Sequence, residues 1–105
     1  MKFWDLTNEQ RHARVDALVA EGKSDVDRWI DPMNADGAFD HSRSKWTAKF
    51  IAPGSSVIDI GCGSMALKQY LPAGCSYTPC DLVDRGDGCI VADLNRGEYP
   101  QGQFD

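Results

Sequence analysis

Apolar residues in the first half of the chain recur at helical spacing between residues that start and stop helices. Thr7 and Gln10 have the form of a capping box, and Gly22 is suited to end the helix begun there. A second helix is predicted from about Ser24, and Pro32 should end it because proline breaks helical hydrogen bonding. The pattern therefore predicts two short helices before residue 34.

A turn and a third helix are predicted next. Residues 34–37 have the sequence NADG, which is typical of turns. The third helix is expected from residue 40 or 42 to residue 51. Three aromatic side chains, those of Phe39, Trp46 and Phe50, are expected to face the core.

The second half of the chain has a β pattern. Ser56–Ile60 is rich in β-branched residues, which predicts a buried strand; two further strands follow, and a segment between the first two strands predicts a short helix. The predicted order is strand Ser56–Ile60, helix Ser64–Leu71, strand Cys75–Cys80, strand Cys89–Ala92 and the start of a fourth strand at Phe104 and Asp105. A strand–helix–strand unit forms a right-handed parallel crossover. The chain is therefore predicted to be α/β, with a helical part at residues 1–52 and a parallel sheet within residues 53–105.

The distribution of charge along the chain indicates which class of binding partner is suitable. The chain has 105 residues, enough for one small domain, and a net charge of −5. Residues 1–50 carry 8 basic and 9 acidic side chains, whereas residues 51–105 carry 3 and 7. A nucleic-acid binder should have a basic face, so this pattern argues against DNA or RNA as the partner. A cationic small ligand would suit the acidic half.

The cysteines indicate the compartment. Cys62, Cys75, Cys80 and Cys89 fit no Cys-x-x-Cys metal pattern. We expect four reduced thiols in a cytoplasmic protein, with disulfides or a metal site as the alternatives. No signal peptide and no apolar run of transmembrane length is recognised, so no membrane partner is expected.

The segment Val57–Gly63, with the sequence VIDIGCG, ends a predicted strand in a glycine-bounded turn. Parallel α/β sheets bind nucleotide-like cofactors at such turns. Gly61 permits a tight exit from the strand, and Gly63 lets a ligand approach the main chain. Asp59 lies at the carboxyl end of the strand, beside the expected crevice. A tight turn that binds nothing is the alternative.

Two further acidic residues come after the other predicted strands. Asp81 lies 22 residues after Asp59, where a carboxylate accepts hydrogen bonds from the ribose hydroxyls of an adenosine. Asp93 comes after the third strand, where a side chain could accept a hydrogen bond from an adenine amino group. Each acid alone is typical of a solvated strand end. Together, acids at the ends of consecutive strands predict a ligand site.

These motifs resemble the first three cofactor motifs of class I S-adenosylmethionine-dependent methyltransferases. The resemblance rests on VIDIGCG at residues 57–63, CDL at residues 80–82 and ADLNRGE at residues 92–98, in matching order and spacing. QFD at residues 103–105 resembles the start of the fourth motif. The resemblance covers about residues 40–105. It implies a Rossmann-like parallel sheet, here incomplete with about three strands, under an N-terminal helical cap.

The resemblance implies roles for the turn. Gly61 and Gly63, with the backbone of Cys62 between them, would line the methionine part of S-adenosylmethionine. Asp59 would lie beneath the cofactor and hold the loop, directly or through water. The family often has a glycine where this chain has Met65.

The resemblance also implies roles for the later motifs. Asp81 would bind the ribose hydroxyls, with Leu82 against the adenine. Asp93 would bind the adenine amino group, and Leu94 would offer its backbone amide to the ring. The sulfonium and ammonium of the cofactor outweigh its one carboxylate, so an acidic crevice is electrostatically suitable.

The implied reaction is direct displacement of the methyl group by a nucleophile on a small-molecule or sugar-linked acceptor. Catalysis would come mostly from positioning. A general base usually lies after the fourth strand or later, so no catalytic residue is assigned, and this segment alone is expected to be inactive.

The family sheet has more strands than are predicted here. Ser56–Ile60 would therefore be an exposed apolar edge, which invites pairing with another chain. Three explanations stay open: a fragment of a longer enzyme, a homodimer or strand-swapped pair, and a natural short protein kept for binding.

Two other functional classes are open. One is a dinucleotide-binding oxidoreductase domain of the NAD type, because Gly61-x-Gly63-x-x-Ala66 and Asp81 fit that fingerprint. Against it, Asp59 stands where the fingerprint usually has an apolar residue, and residues 93–95 have no role. The other is an interaction module that uses aromatic residues of the helical part, although most of these are expected in the core or cap: Trp4, Trp29, Trp46 and Phe50.

Overall fold

The computed structural model describes residues 2–30 and 38–105, and for residues 38–40 the backbone alone. The helical part contains α1 (Asn8–Ala20), α2 (Val26–Ile30) and α3 (Ala38–Ala48). The strands are β1 (Ser56–Ile60), β2 (Ser76–Asp81) and β3 (Ile90–Val91). Short 3₁₀ segments lie at Phe3–Asp5, Ala66–Tyr70 and Leu94–Arg96. The predicted end of the second helix at Pro32 and the turn at 34–37 lie outside the described residues.

The strands form a parallel sheet in the order β1-β2-β3. Ser56 of β1 is opposite Ser76 of β2, and Cys80 of β2 is opposite Ile90 of β3. The α/β prediction is therefore confirmed, and the arrangement is consistent with an incomplete Rossmann-like sheet. The division into parts at residues 52 and 53 stays a prediction.

The last residue lies beside the outer edge of β1. The amide N–H of Asp105 donates to the carbonyl oxygen of Ser56 at 2.8 Å, and the N–H of Ser56 donates to the Asp105 carboxylate at 2.6 Å. Residues 104–105 do not form a strand in the structure, so that assignment was wrong. The main-chain bond nevertheless places Asp105 where a neighbouring strand would begin.

The capping box of α1 is confirmed. The Thr7 hydroxyl accepts from the Gln10 N–H at 3.2 Å, and the Gln10 side chain accepts from the Thr7 N–H at 2.9 Å. These bonds satisfy amide groups that a helix start otherwise leaves to water.

Thr7→Ala is expected to lower the free energy of unfolding by about 1 kcal/mol, because the Gln10 amide loses its acceptor. Urea denaturation measures the change. Thr7→Ser keeps the hydroxyl and is the matched control, which should unfold near the parent midpoint. Equal stability of Thr7→Ala and the parent chain would contradict the prediction.

Phe3 anchors the helical part and is 5% exposed. The guanidinium groups of Arg11, Arg14 and Arg28 lie 5.7, 5.9 and 4.8 Å from the centre of its ring. Arg14 also pairs with Asp25 at 2.9 Å, which connects α1 to the start of α2. Packing of cations on the aromatic ring stabilises a region that has few large buried side chains.

The predicted core face of α3 was wrong. Trp46 and Phe50 are 62% and 74% exposed, and their rings contact each other at a centroid distance of 4.9 Å. Among residues 41–48 of the helix, the less exposed positions are instead His41, Ser44 and Ala48, which share one face at helical spacing. The Phe39 side chain lies outside the described residues.

Small and polar residues on this face let α3 approach the 3₁₀ segment Ala66–Tyr70. His41 Nδ1 lies 2.9 Å from the Tyr70 hydroxyl, and the two rings meet edge to face. Trp4 and Trp29 are also only partly covered, with 38% and 37% of their surface exposed.

The short helix predicted at Ser64–Leu71 is present as the 3₁₀ segment Ala66–Tyr70, which begins two residues later and ends one residue earlier than predicted. Met65 has φ 60° and ψ 33°, in the left-handed region, so an α-helix cannot run through it. The chain forms the 3₁₀ segment Ala66–Tyr70 instead, after which Leu71 is extended before Pro72, as residues before proline prefer. Within residues 2–30 and 38–105, no helix combines the length and apolarity that crossing a bilayer requires.

Candidate functional site

A cavity of about 750 Å³ lies at the carboxyl ends of β1 and β2. This is where open parallel α/β sheets bind their ligands. Five of the predicted site residues contribute to its wall: Gly61, Gly63, Asp81, Leu82 and Leu94. The wall is completed by Ser24, Trp29, Ile60, Ser64, Met65, Lys68, Gln69, Cys80, Arg85, Asp87, Ala92 and Asn95.

The amide groups of the glycine turn are all engaged within the protein. The N–H groups of Gly61 and Cys62 both donate to the Cys80 carbonyl, at 2.8 and 3.0 Å. The N–H of Gly63 donates to Asp81 Oδ2 at 2.9 Å. Gly61 and Gly63 have φ of 76° and 52°, which explains why glycine suits both positions. The turn therefore keeps none of these three donors for an anionic ligand.

Asp81 combines a structural contact with a place in the cavity wall. Its side chain is 9% exposed. Oδ1 accepts from the Leu82 N–H at 2.7 Å, and Oδ2 accepts from Gly63 and from Arg85 Nε at 3.2 Å. Arg85 in turn donates to the Trp29 carbonyl at 2.9 Å. Asp81 thus fixes the glycine turn, and Arg85 connects it to α2.

Asp93 is buried behind the cavity wall and is 7% exposed. Oδ2 accepts from the Ser24 N–H at 3.0 Å, and Oδ1 accepts from the Ser24 hydroxyl at 2.7 Å and the Asn95 N–H at 3.0 Å. Its carboxylate therefore connects the α1–α2 loop to the end of β3. Its neighbours Ala92 and Leu94 line the cavity, but Asp93 does not. The predicted contact with an adenine amino group stays a prediction.

The environment of Asp93 shifts its acidity. Burial alone raises the pKa of a carboxyl group, but here the hydrogen bonds from the N–H and hydroxyl of Ser24 and the N–H of Asn95, with the nearby charge of Arg96, outweigh burial. The pKa of Asp93 is consequently lower than its usual value of 3.8. The charged form is the one that this environment stabilises.

Asp59 and Cys62 lie away from the cavity wall. Asp59 Oδ2 accepts from the Tyr77 hydroxyl at 2.6 Å, so it connects β1 to β2. Burial, and then the bond to Asp59, raise the pKa of Tyr77 well above its usual range. The Cys62 side chain is 7% exposed. The contacts that the resemblance implies for Asp59 and Cys62 stay predictions.

Charged residues that the sequence did not single out also line the cavity. Lys68 and Arg85 face it together with Asp81 and Asp87, so its charged lining has no formal excess of acid. This differs from the acidic crevice expected from the net charge of residues 51–105. The residues between Asp81 and Arg85 are not helical, so their spacing of four positions does not by itself indicate this ion pair.

Comparison of the chain with protein-family models, curated proteins and solved structures gives no match. Across the described part of the chain, no group of three or more His, Cys, Asp or Glu side chains could hold a metal ion.

Proposed function

We propose that this chain is the S-adenosylmethionine-binding portion of a methyltransferase. One observation carries the proposal: the cavity at the carboxyl ends of β1 and β2 brings the glycine turn together with Asp81, Leu82 and Leu94. The three sequence motifs thus contribute to one wall. A cofactor at this position is expected from the general behaviour of parallel α/β sheets.

The chemistry of the turn favours a cofactor without phosphate. A dinucleotide places its pyrophosphate against free amide groups and the start of an α-helix. Here the three amides of residues 61–63 are engaged, and the next element is a 3₁₀ segment of five residues instead of an α-helix. S-adenosylmethionine has no phosphate, so it needs neither free amide groups in the turn nor the start of an α-helix. The NAD-type oxidoreductase is therefore the weaker candidate.

The remaining wall suits the other parts of this cofactor. Leu82 and Leu94 supply apolar surface for an adenine, and Asp81 supplies an acceptor for ribose hydroxyls. Lys68 supplies a cation for the carboxylate of the methionine part. When bound, the cofactor supplies an electrophilic methyl group.

The proposal also covers the methyl acceptor, the partners and the location of the protein. We infer a small-molecule or sugar-linked nucleophile as acceptor, no nucleic-acid or membrane partner, a cytoplasmic location and a capacity to pair as a homodimer through the β1 edge. No residue is assigned as catalytic base. The segment by itself is expected to bind cofactor without turning it over.

Titration calorimetry with S-adenosylhomocysteine, adenosine and NADH tests the proposal. We expect saturable binding of S-adenosylhomocysteine, binding of adenosine weaker by about tenfold because it lacks the amino-acid part, and no binding of NADH. Circular dichroism confirms that the chain is folded in each sample. Tighter binding of NADH, or no binding of S-adenosylhomocysteine by folded chain, would overturn the proposal.

A further inference from the structure

Two thiols lie side by side behind the glycine turn. The Sγ atoms of Cys62 and Cys89 are 3.9 Å apart. Cys62 belongs to the turn after β1, and Cys89 immediately precedes β3. The two residues are thus 27 positions apart in sequence and come from different connections of the sheet. Neither side chain lines the cavity.

The two thiols differ in accessibility. Cys62 is buried, whereas Cys89 is half-buried, with its sulfur 3.7 Å from the carbonyl oxygens of Val83 and Ile90. Burial, followed by the neighbouring Cys89, raises the pKa of Cys62 to about 12. Cys62 is therefore protonated near neutral pH, and Cys89 is the thiol that an oxidant meets first.

The other cysteines have different surroundings. Cys75 lies with its sulfur 3.4 Å from the Ala52 carbonyl oxygen. Cys80 is 1% exposed within β2. All four cysteines are free thiols in the structure. Among the thiol pairs, the contact between Cys62 and Cys89 is the one at hydrogen-bond distance.

We propose that Cys62 and Cys89 form an oxidisable pair that closes to a reversible disulfide behind the glycine turn. A disulfide holds its sulfurs about 2 Å apart, so the two atoms must approach by roughly the same distance. Side-chain rotation with a small shift of the turn can supply this movement, because the turn consists of glycines on either side of Cys62.

A peroxide is the oxidant that we propose for forming the disulfide between Cys62 and Cys89. The Cys89 sulfur attacks one peroxide oxygen: an S–O bond forms, the O–O bond breaks, and the other oxygen leaves as water with the thiol proton. The Cys62 sulfur then attacks the Cys89 sulfenic sulfur. The S–S bond forms, the S–O bond breaks, and the hydroxide leaves as water with the Cys62 proton. Two thiols lose two electrons, and one peroxide becomes two waters.

Peptide mass spectrometry of the whole chain tests the pairing, because trypsin separates the relevant cysteines. Cleavage after Lys49, Lys68, Arg85 and Arg96 places Cys62 in residues 50–68, Cys75 and Cys80 in residues 69–85, and Cys89 in residues 86–96. Reduced chain is treated with hydrogen peroxide, the remaining thiols are alkylated, and the chain is digested without reductant.

The peptide pair 50–68 with 86–96 is expected to dominate other linked pairs by about tenfold in the folded chain, and to lose that lead when oxidation is done in denaturant. Cys75→Ser and Cys80→Ser should keep the pair, whereas Cys89→Ser should lose it. Dominance of a link from 69–85 to 86–96, a lead that persists in denaturant, or no link in the folded chain would overturn the proposal.

The disulfide has a consequence for the cavity that rests on the proposed function. It would attach the turn between Gly61 and Gly63 to the start of β3, and both glycines line the cavity. Oxidised chain is expected to bind S-adenosylhomocysteine more weakly, on the order of tenfold, because small displacements of a turn disturb a fitted ligand. A thiol reductant should restore binding, and Cys89→Ser should be insensitive to peroxide.

The two proposals fail separately. If reduced chain does not bind S-adenosylhomocysteine while the 62–89 link forms, the cofactor proposal is overturned and the disulfide stands. If reduced chain binds and no such link forms, the reverse holds. Equal binding by reduced and fully linked chain would overturn the consequence for the cavity.

Discussion

Asp81→Asn is expected to weaken S-adenosylhomocysteine binding by about a hundredfold, since a hydrogen bond to a charged acceptor in a covered site is worth about 1.5–3 kcal/mol. The carboxylate already accepts from Leu82, Gly63 and Arg85, and from the Cys62 thiol at the longer distance of 4.0 Å. A carboxylate has roughly four acceptor positions. A thiol is a weak donor, so one ribose hydroxyl can displace Cys62 from the carboxylate, whereas a second can be accepted only if Arg85 is released.

Arg85 is accordingly expected to compete with the ligand. Arg85→Met should strengthen binding by about threefold, because a partly exposed ion pair contributes little and its loss frees an acceptor. Asp87→Asn is the matched control: Asp87 lines the same cavity, yet none of the proposed contacts uses it. Calorimetry on the three variants measures these effects. Asp81→Asn binding like the parent chain would contradict the ribose role, as would an equal loss in Asp87→Asn.

The sheet was the most predictable part of the fold. The bounds of β1 are those predicted, and β2 and β3 differ from prediction by one residue at each end. In β1, a run of β-branched residues between Gly54 and Gly61 carries this information locally. The connection of residues 61–75 is long enough for the parallel crossover from β1 to β2, whereas β2 and β3 pair in parallel across the shorter connection of residues 82–89.

The errors came from tertiary packing that local pattern does not encode. Trp46 and Phe50 were expected inside because they are large and apolar. The close approach of α3 to residues 66–70 instead requires small side chains such as Ala48 on the contact face. Likewise, the left-handed conformation of Met65 lies immediately before the 3₁₀ segment Ala66–Tyr70, so the helix begins after Met65 instead of at Ser64.

The sequence motifs of the candidate site could be predicted, but the hydrogen-bond partners of its aspartate side chains could not. Asp59, Asp81 and Asp93 do lie at strand ends, yet the structure brings only Asp81 into the cavity wall. Asp59 bonds to Tyr77, and Asp93 bonds to Ser24. These partners are 18 and 69 residues away, and no pattern within one element indicates them.

Asp93→Asn is expected to lower the free energy of unfolding by about 3 kcal/mol, because buried donors on Ser24 and Asn95 then face an amide instead of a carboxylate. These bonds connect the helical part to the sheet. Urea denaturation at neutral pH measures the loss. Ser24→Ala removes only the hydroxyl and keeps the N–H donor, so it should cost about 1 kcal/mol.

Acid dependence separates a charge effect from a packing effect. The pKa of Asp93 is lower in the folded chain than its usual 3.8, so the unfolded chain binds the proton more readily. The stabilisation is therefore complete above the usual value and is lost as the pH falls through the folded value. The stability difference between the parent chain and Asp93→Asn should narrow as the pH falls below 3.8. If the stability difference between the parent chain and Asp93→Asn stays constant as the pH falls below the folded pKa, the packing of this side chain, and not its buried charge, connects the helices to the sheet.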